Sequence, residues 1–208
     1  MYTDYARRGT MENIKAQFKK DEILLFYKCG SHAFGTTTEI SDEDYVVVLR
    51  DFKGTTHRSF GKKEYFIFGI DDWKAKEEFS DEFDEYFLMF NDEVLTFPES
   101  IIYAHESIKE LTEKYRTEFP SKCKLWLSKV IYHYRFYFGI GDVNKSMYHL
   151  IRIKHIIENY KSSGVISLEL SKEVSDWILK FKRAENKKEY KNDLYDALVF
   201  LEKQLEVL

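Results

Sequence analysis

Three short apolar runs early in the chain constrain its fold most. They cover residues 22–27, 42–49 and 64–69, and each is too short to be a typical buried helix. The second run is rich in β-branched valine, and charged or glycine residues bound all three, so buried strands are predicted. Between the second and third runs, residues 51–62 are polar and contain two glycines, which predicts a hairpin.

Helical patterns precede and follow these runs. An amphipathic helix is predicted in residues 3–20, a second from Asp72 through Phe90, and a further helical segment from near Pro98. Pro120 is expected to open a helical lobe, because proline suits the first turn of a helix. The helices of this lobe are predicted at residues 121–138, 143–160, 171–183 and 190–206.

Strands followed by helices predict an α+β fold, with a mixed sheet flanked by helices and a C-terminal helical lobe. We predict a catalytic domain in residues 1–119 and a helical domain in residues 120–208. A chain of 208 residues is long enough for both.

Composition excludes several classes of protein. Hydrophobic residues make up 44% of the chain and aromatic residues 17%, which excludes a disordered chain. The 32 basic and 36 acidic residues give a formal net charge of −4, so any nucleic-acid contact must be a local patch. Cys29 and Cys123 suit reduced thiols better than a disulfide framework. Since no apolar run approaches the roughly 18 residues of a membrane span, we expect a cytoplasmic protein that does not contact the membrane.

Two carboxylates at the start of the second run carry the strongest chemical signal. Asp42 and Asp44 follow Gly30-Ser31 after ten intervening residues. Residues two apart on a strand project from one face, so both carboxylates would reach one place and bind a hard cation such as Mg²⁺. A pair of magnesium ions bridged by triphosphate oxygens would compensate the two charges, which predicts two-metal phosphoryl transfer. Asp-x-Asp alone is also typical of a solvated strand entrance, but the ordered arrangement favours the metal site.

The Gly-Ser turn is predicted to bind the triphosphate. Gly30 lacks a Cβ and would let the backbone approach a phosphate, and Ser31 adds a hydroxyl donor where a short helical turn begins. His32 lies next to the turn. It would either contact a phosphate or base or have a structural role, and the sequence favours neither. We therefore predict that Gly30, Ser31 and His32 bind nucleotide.

These motifs resemble the signature of DNA polymerase β superfamily nucleotidyltransferases. Residues 30–35, Gly-Ser-His-Ala-Phe-Gly, and 41–45, Ser-Asp-Glu-Asp-Tyr, are most similar to a predicted bacterial and phage group associated with RNA repair. The resemblance implies two Mg²⁺ ions, with Mn²⁺ as an alternative, and a nucleoside triphosphate such as ATP. It implies transfer of a nucleoside monophosphate to an acceptor hydroxyl, with an RNA 3′ end favoured. Related enzymes modify proteins or small molecules, so the acceptor stays open.

The resemblance also implies a third carboxylate, on a neighbouring strand, that binds metal and assists the attacking hydroxyl. Glu64, at the start of the third run, is the first candidate. Asp71 and Asp72 are alternatives, although both also suit the first turn of a helix. If no third carboxylate lay near Asp42 and Asp44, the chain would instead be an inactive module that binds nucleotide, RNA or protein.

Three basic residues in the predicted helix 143–160 are spaced at about one helical turn. Lys145, His149 and Arg152 fall at i, i+4 and i+7, which places them on one helical face. They resemble a basic helix of the same group and are predicted to bind triphosphate or an acceptor phosphate. A solvated basic face without a ligand is the alternative.

Overall fold

The computed structural model describes residues 18, 22–77, 100–164 and 169–207. The predicted helix in residues 3–20, apart from Phe18, lies outside these residues. So do the predicted helical stretch beyond Glu77 and the expected helix start near Pro98.

The described strands form one mixed sheet in the order β3-β4-β2-β1-β5. They are β1 Ile23–Cys29, β2 Glu43–Leu49, β3 Thr55–Phe60, β4 Lys63–Gly69 and β5 Ile101–Ala104. Strand β2 pairs antiparallel with β1 and parallel with β4, while β3 and β4 form an antiparallel hairpin. The three predicted strands and the α+β class are confirmed. The predicted hairpin between the second and third runs is wrong, because β2 and β4 are parallel. The hairpin that forms pairs β4 with β3, a strand inside the stretch that was expected to be a turn.

Strand β5 was not predicted, because helix was expected in this part of the chain. It has only four residues and pairs with the middle of β1. So short a segment has no clear alternation of its own, and its strand conformation depends on a partner distant in sequence.

The central strand is covered on both faces. Val46, Val47 and Val48 are all 0% exposed, which explains why the run is continuously apolar rather than alternating. On one face, a cluster joins strands β1, β2 and β4. Its buried members are Ile23, Phe26, Tyr45, Val47, Leu49, Tyr65 and Ile67.

Helix α1, Ile70–Glu77, follows β4 directly. It begins two residues before the predicted start at Asp72. The Asp72 carboxylate accepts a hydrogen bond of 2.7 Å from the Gly54 amide, which ties the loop after β2 to the helix.

Helix α2, Glu106–Gly139, is continuous over 34 residues. The expectation that Pro120 opens a helix is wrong, because Pro120 lies inside this one. Proline keeps a helical φ and removes one backbone hydrogen bond. The buried residues Trp126, Leu127 and Val130 anchor the part of the helix that follows.

The remaining helices are α3 Tyr148–Ser163, α4 Lys172–Arg183 and α5 Lys191–Val207. The predicted helices at 171–183 and 190–206 are confirmed, and the Ser171 side chain caps α4 by accepting from the Val174 amide at 3.3 Å. Helix α3 starts later than residue 143, after a 3₁₀ turn at Lys145–Met147. None of the described helices combines the length and apolarity needed to cross a membrane.

The chain divides into two compact units. The first contains Met1–Ala33 and Ser41–Thr117, and the second contains Phe34–Ile40 and Glu118–Leu208. The boundary near residue 117 falls inside α2. The segment Phe34–Ile40 connects β1 to β2 along the chain, yet it packs within the helical unit.

Candidate active site

A tight turn after β1 lies directly against the acidic strand. Gly30–His32 forms a 3₁₀ turn that is closed by a 3.0 Å hydrogen bond from the Ala33 amide to the Gly30 carbonyl. Gly30 has a φ of +65°, and a Cβ placed there would lie 2.2 Å from Asp44 Oδ2. Glycine is therefore required twice, for the left-handed backbone and for the approach of this carboxylate. The Gly-Ser turn therefore packs directly against the acidic start of β2.

Two of the three predicted carboxylates are neighbours in the sheet. Asp44 pairs in register with Glu64 of the parallel strand β4, and with Cys29 of β1. Residues in register on neighbouring strands project from the same face, with their strands about 4.8 Å apart. Asp44 and Glu64 are both half-buried, whereas Asp42 lies one residue before β2 and is exposed.

Glu64 already has two partners on the edge strand. Ser59 pairs in register with Glu64 across the hairpin, and its Oγ donates a 2.7 Å hydrogen bond to Glu64 Oε2. His57 Nε2 contacts the same oxygen. The sequence analysis did not identify His57 and Ser59. They are two residues apart on one strand and so share a face, and this spacing was the signal that could have identified them.

The alternative carboxylates lie elsewhere. Asp71 and Asp72 are in the first turn of α1, past the far end of β4 from Glu64. A strand rises about 3.3 Å per residue, so the stretch of β4 from Glu64 to Gly69 alone spans roughly 16 Å. Glu64 is thus the candidate that the sheet places beside Asp44.

Glu43 belongs to the opposite face of β2. Its burial favours the neutral acid, but the Tyr45 hydroxyl donates a 2.5 Å hydrogen bond to Glu43 Oε2. Together with the positive charges of Lys63, Lys28 and His32, this bond outweighs burial and holds the pKa of Glu43 below its ordinary value. His32 therefore contributes to the electrostatic environment of an anion on this strand.

The start of β2, with Asp42, Asp44 and the neighbouring Glu64, is called the strand entrance below, and its side chains suit magnesium. Asp42, Asp44 and Glu64 supply carboxylate oxygens, which are the ligands this hard cation takes. No three His, Cys, Asp or Glu side chains in the described parts of the chain are already gathered around one point. A metal at this place would need Asp42, Asp44 and Glu64 to turn toward one point.

The three predicted basic residues do not share one helix. Lys145 is exposed in the 3₁₀ turn, whereas His149 and Arg152 lie in α3 and are only 5% and 0% exposed. The Arg152 guanidinium lies 4.2 Å from the centroid of the Phe34 ring. The predicted single helical face is therefore wrong in geometry, because α3 starts after Lys145 and buries the other two.

His149 is a neutral residue of the helical core. Its burial, followed by the nearby charges of Arg152, Lys182 and His133, lowers its pKa well below the ordinary value. Its ring lies against Tyr148, with centroids 4.1 Å apart. At neutral pH it therefore contributes no positive charge for an anion.

Comparison with known proteins gives a distant likeness to solved structures. No protein-family model and no curated protein matches the chain. Among solved structures, a nucleotidyltransferase-like protein from Exiguobacterium sibiricum matches 97% of this chain and 74% of that chain. The two sequences are 14% identical and the TM-score is 0.33, so the likeness is too slight to assign a family or a function.

Proposed function

We propose that this chain is a magnesium-dependent nucleotidyltransferase. It transfers a nucleoside monophosphate from a nucleoside triphosphate to an acceptor hydroxyl and releases pyrophosphate. The observation that carries the proposal is the contact between the Gly30 backbone and the Asp44 carboxylate, with Glu64 in register beside it. A half-buried carboxylate pair beside a glycine turn suits metal-assisted phosphoryl transfer.

Each residue of the strand entrance has a role in this proposal. Asp42 and Asp44 hold two Mg²⁺ ions, and Mn²⁺ serves as an alternative. When bound, the ions neutralise the triphosphate and the negative charge that develops during transfer. Glu64 contributes a third ligand and accepts the proton of the attacking hydroxyl.

The nucleotide contacts follow from the same motif. Gly30 and Ser31 bind the phosphates of the triphosphate, and His32 lies next in the turn. Lys145 is exposed and supplies a flexible ammonium for a phosphate. The roles of His149 and Arg152 toward nucleotide are indirect in this proposal, because both are buried.

The substrates we propose are ATP or another nucleoside triphosphate, and an RNA 3′ end as acceptor, consistent with RNA repair. This choice rests on the resemblance of the Gly-Ser-His-Ala-Phe-Gly and Ser-Asp-Glu-Asp-Tyr motifs. The acidic net charge of −4 favours a short, local contact with the RNA end over a long basic groove.

A second candidate function is a module that binds nucleotide, RNA or protein without turnover. One observation favours it: Glu64 Oε2 is engaged by His57 and Ser59, which compete with a metal for this oxygen. In this alternative, nucleotide binds at the turn and no pyrophosphate is released.

The deciding experiment measures pyrophosphate release with each nucleoside triphosphate and mixed RNA, with and without Mg²⁺. We expect release by the wild type and its loss in the Asp42→Asn, Asp44→Asn double variant. Asp51→Asn is the matched control, because Asp51 is exposed beyond the opposite end of β2. Glu64→Gln extends the series to the third carboxylate.

Undiminished release in the double variant would refute the proposed site. Nucleotide binding without release across RNA, protein and small-molecule acceptors would favour the binding module. Release that persists in Glu64→Gln but not in the double variant would remove Glu64 from the mechanism and leave the two aspartates in place.

A further inference from the structure

The segment Phe34–Ile40 joins two parts of the candidate site along the chain. It follows the Gly30–His32 turn after Ala33 and precedes Asp42 after Ser41. It has no regular secondary structure and packs within the helical unit. An irregular segment is ordered only where its contacts offset the backbone entropy that it loses.

One lysine binds the middle of this segment. Lys182 Nζ, from α4, donates to the Thr36 carbonyl at 2.9 Å and lies 3.4 Å from Thr36 Oγ1. Thr36 is fully buried. The same ammonium lies 4.4 Å from the centroid of the Tyr148 ring. A charged donor on a buried carbonyl is among the stronger hydrogen bonds, and its loss leaves a buried acceptor unsatisfied.

A second cation holds the start of the segment. The Phe34 side chain is 7% exposed and lies under the Arg152 guanidinium, which is itself fully buried. Cation–π contacts gain strength when both groups are removed from water. Two cations from different helices thus hold Phe34 and Thr36 in place.

The third contact of the segment is of another kind. Arg183 Nη2 pairs with Glu39 Oε1 at 3.0 Å, but the two side chains are 55% and 80% exposed. Exposed ion pairs contribute little to stability. This pair joins the same helix to the same segment, and so provides an internal control.

We propose that Lys182 and Arg152 are positioning residues for the candidate active site. By holding Phe34–Ile40, they restrict, through the peptide chain alone, the Gly30–His32 turn at one end and the strand entrance at the other. Lys182 and Arg152 themselves contribute no group to the reaction. The catalytic part of this inference rests on the proposed function; the anchoring part does not.

The first test is independent of activity. Amide hydrogen exchange is compared in wild type, Lys182→Met, Lys182→Arg and Arg183→Met. Methionine keeps an apolar chain near Tyr148 and removes the ammonium. Loss of one charge-assisted hydrogen bond corresponds to roughly tenfold or more in local opening. We expect that acceleration in residues 36–40 and in residues 30–33 of Lys182→Met.

The matched variants define the outcome. We expect less than about threefold acceleration in Arg183→Met, as for an exposed pair, and partial recovery of protection in Lys182→Arg. Exchange in α5 serves to correct each variant for global unfolding. Unchanged exchange in residues 30–33 of Lys182→Met would overturn the inference, even if residues 36–40 opened.

The second test separates positioning from general stability. In pyrophosphate release, Lys182→Met should lower kcat roughly tenfold or more while the enzyme remains folded, because misplaced catalytic groups slow the chemical step. Lys182→Arg should restore part of the rate. An inactive wild type would refute the proposed function and leave the exchange result standing, whereas a normal kcat in Lys182→Met with a mobile turn would refute positioning.

Discussion

Substitution of Gly30 by alanine tests the central contact of the candidate site. Gly30 has a φ of +65°, and the added Cβ would meet Asp44 Oδ2 at 2.2 Å and Asp44 Cγ at 3.0 Å. The left-handed backbone costs about 1–2 kcal/mol for alanine. The clash also pushes the Asp44 carboxylate off its rotamer, which costs about 0.5–1.5 kcal/mol. We expect Gly30→Ala to lower the free energy of unfolding by roughly 1.5–3.5 kcal/mol.

Gly61 provides a matched control in the β3–β4 turn. It has the same φ of +65°, and no atom of the described residues would lie within 4 Å of a Cβ added there. Gly61→Ala should therefore cost only the backbone strain of about 1–2 kcal/mol. The difference between the two variants isolates the displacement of Asp44.

Two assays complete this test. Urea unfolding at pH 7 measures the stability of both variants, and pyrophosphate release measures transfer. A displacement of about 1 Å at a reacting group can slow a reaction roughly a hundredfold, which is the loss expected for Gly30→Ala. Gly61→Ala should retain near wild-type transfer. Equal transfer rates in the two variants would show that the Gly30–Asp44 contact does not serve the reaction.

Two further predictions concern the pH dependence of stability. Below about pH 6.5, His149 takes up a proton in the unfolded chain, whereas the folded core keeps it neutral. As pH falls, wild-type stability should therefore decrease by up to about 1.4 kcal/mol per pH unit relative to His149→Phe. Urea unfolding from pH 7 to 5 measures this, and equal slopes for the two proteins would contradict a neutral buried imidazole. The depressed pKa of Glu43 stabilises the fold above its ordinary value of 4.5. The stability advantage of wild type over Glu43→Gln should thus be full above that pH and shrink as pH falls below it, and an advantage that grows on acidification would contradict the assignment.

The sheet shows where local sequence patterns suffice. The three apolar runs became β1, β2 and β4, because β-branched and aromatic residues in short runs favour strands wherever they pack. The helix predicted at residues 171–183 also formed with nearly those bounds, and Ser171 caps its start. In each case, the deciding interaction lies within a few residues of the signal.

The candidate site was only partly predictable. Gly30 and Asp44 were identified from their residue types, but the reason expected for the glycine was the approach of a phosphate, and the structure adds the approach of Asp44. His57 and Ser59 were not predicted, because their contact with Glu64 depends on the register of the β3–β4 hairpin. Their own sequence neighbourhood is merely polar.

The sequence by itself determined the strand cores, the order of motifs and the carboxylates that suit a metal, because these depend on residue type and local spacing. Only the tertiary structure decided that β5 adds to β1, that a helix continues through Pro120, and that Phe34–Ile40 belongs with the helices. It also decided that Arg152 is buried against Phe34 rather than exposed to solvent. These outcomes arise from contacts between residues far apart along the chain, where the energy of packing exceeds any local preference.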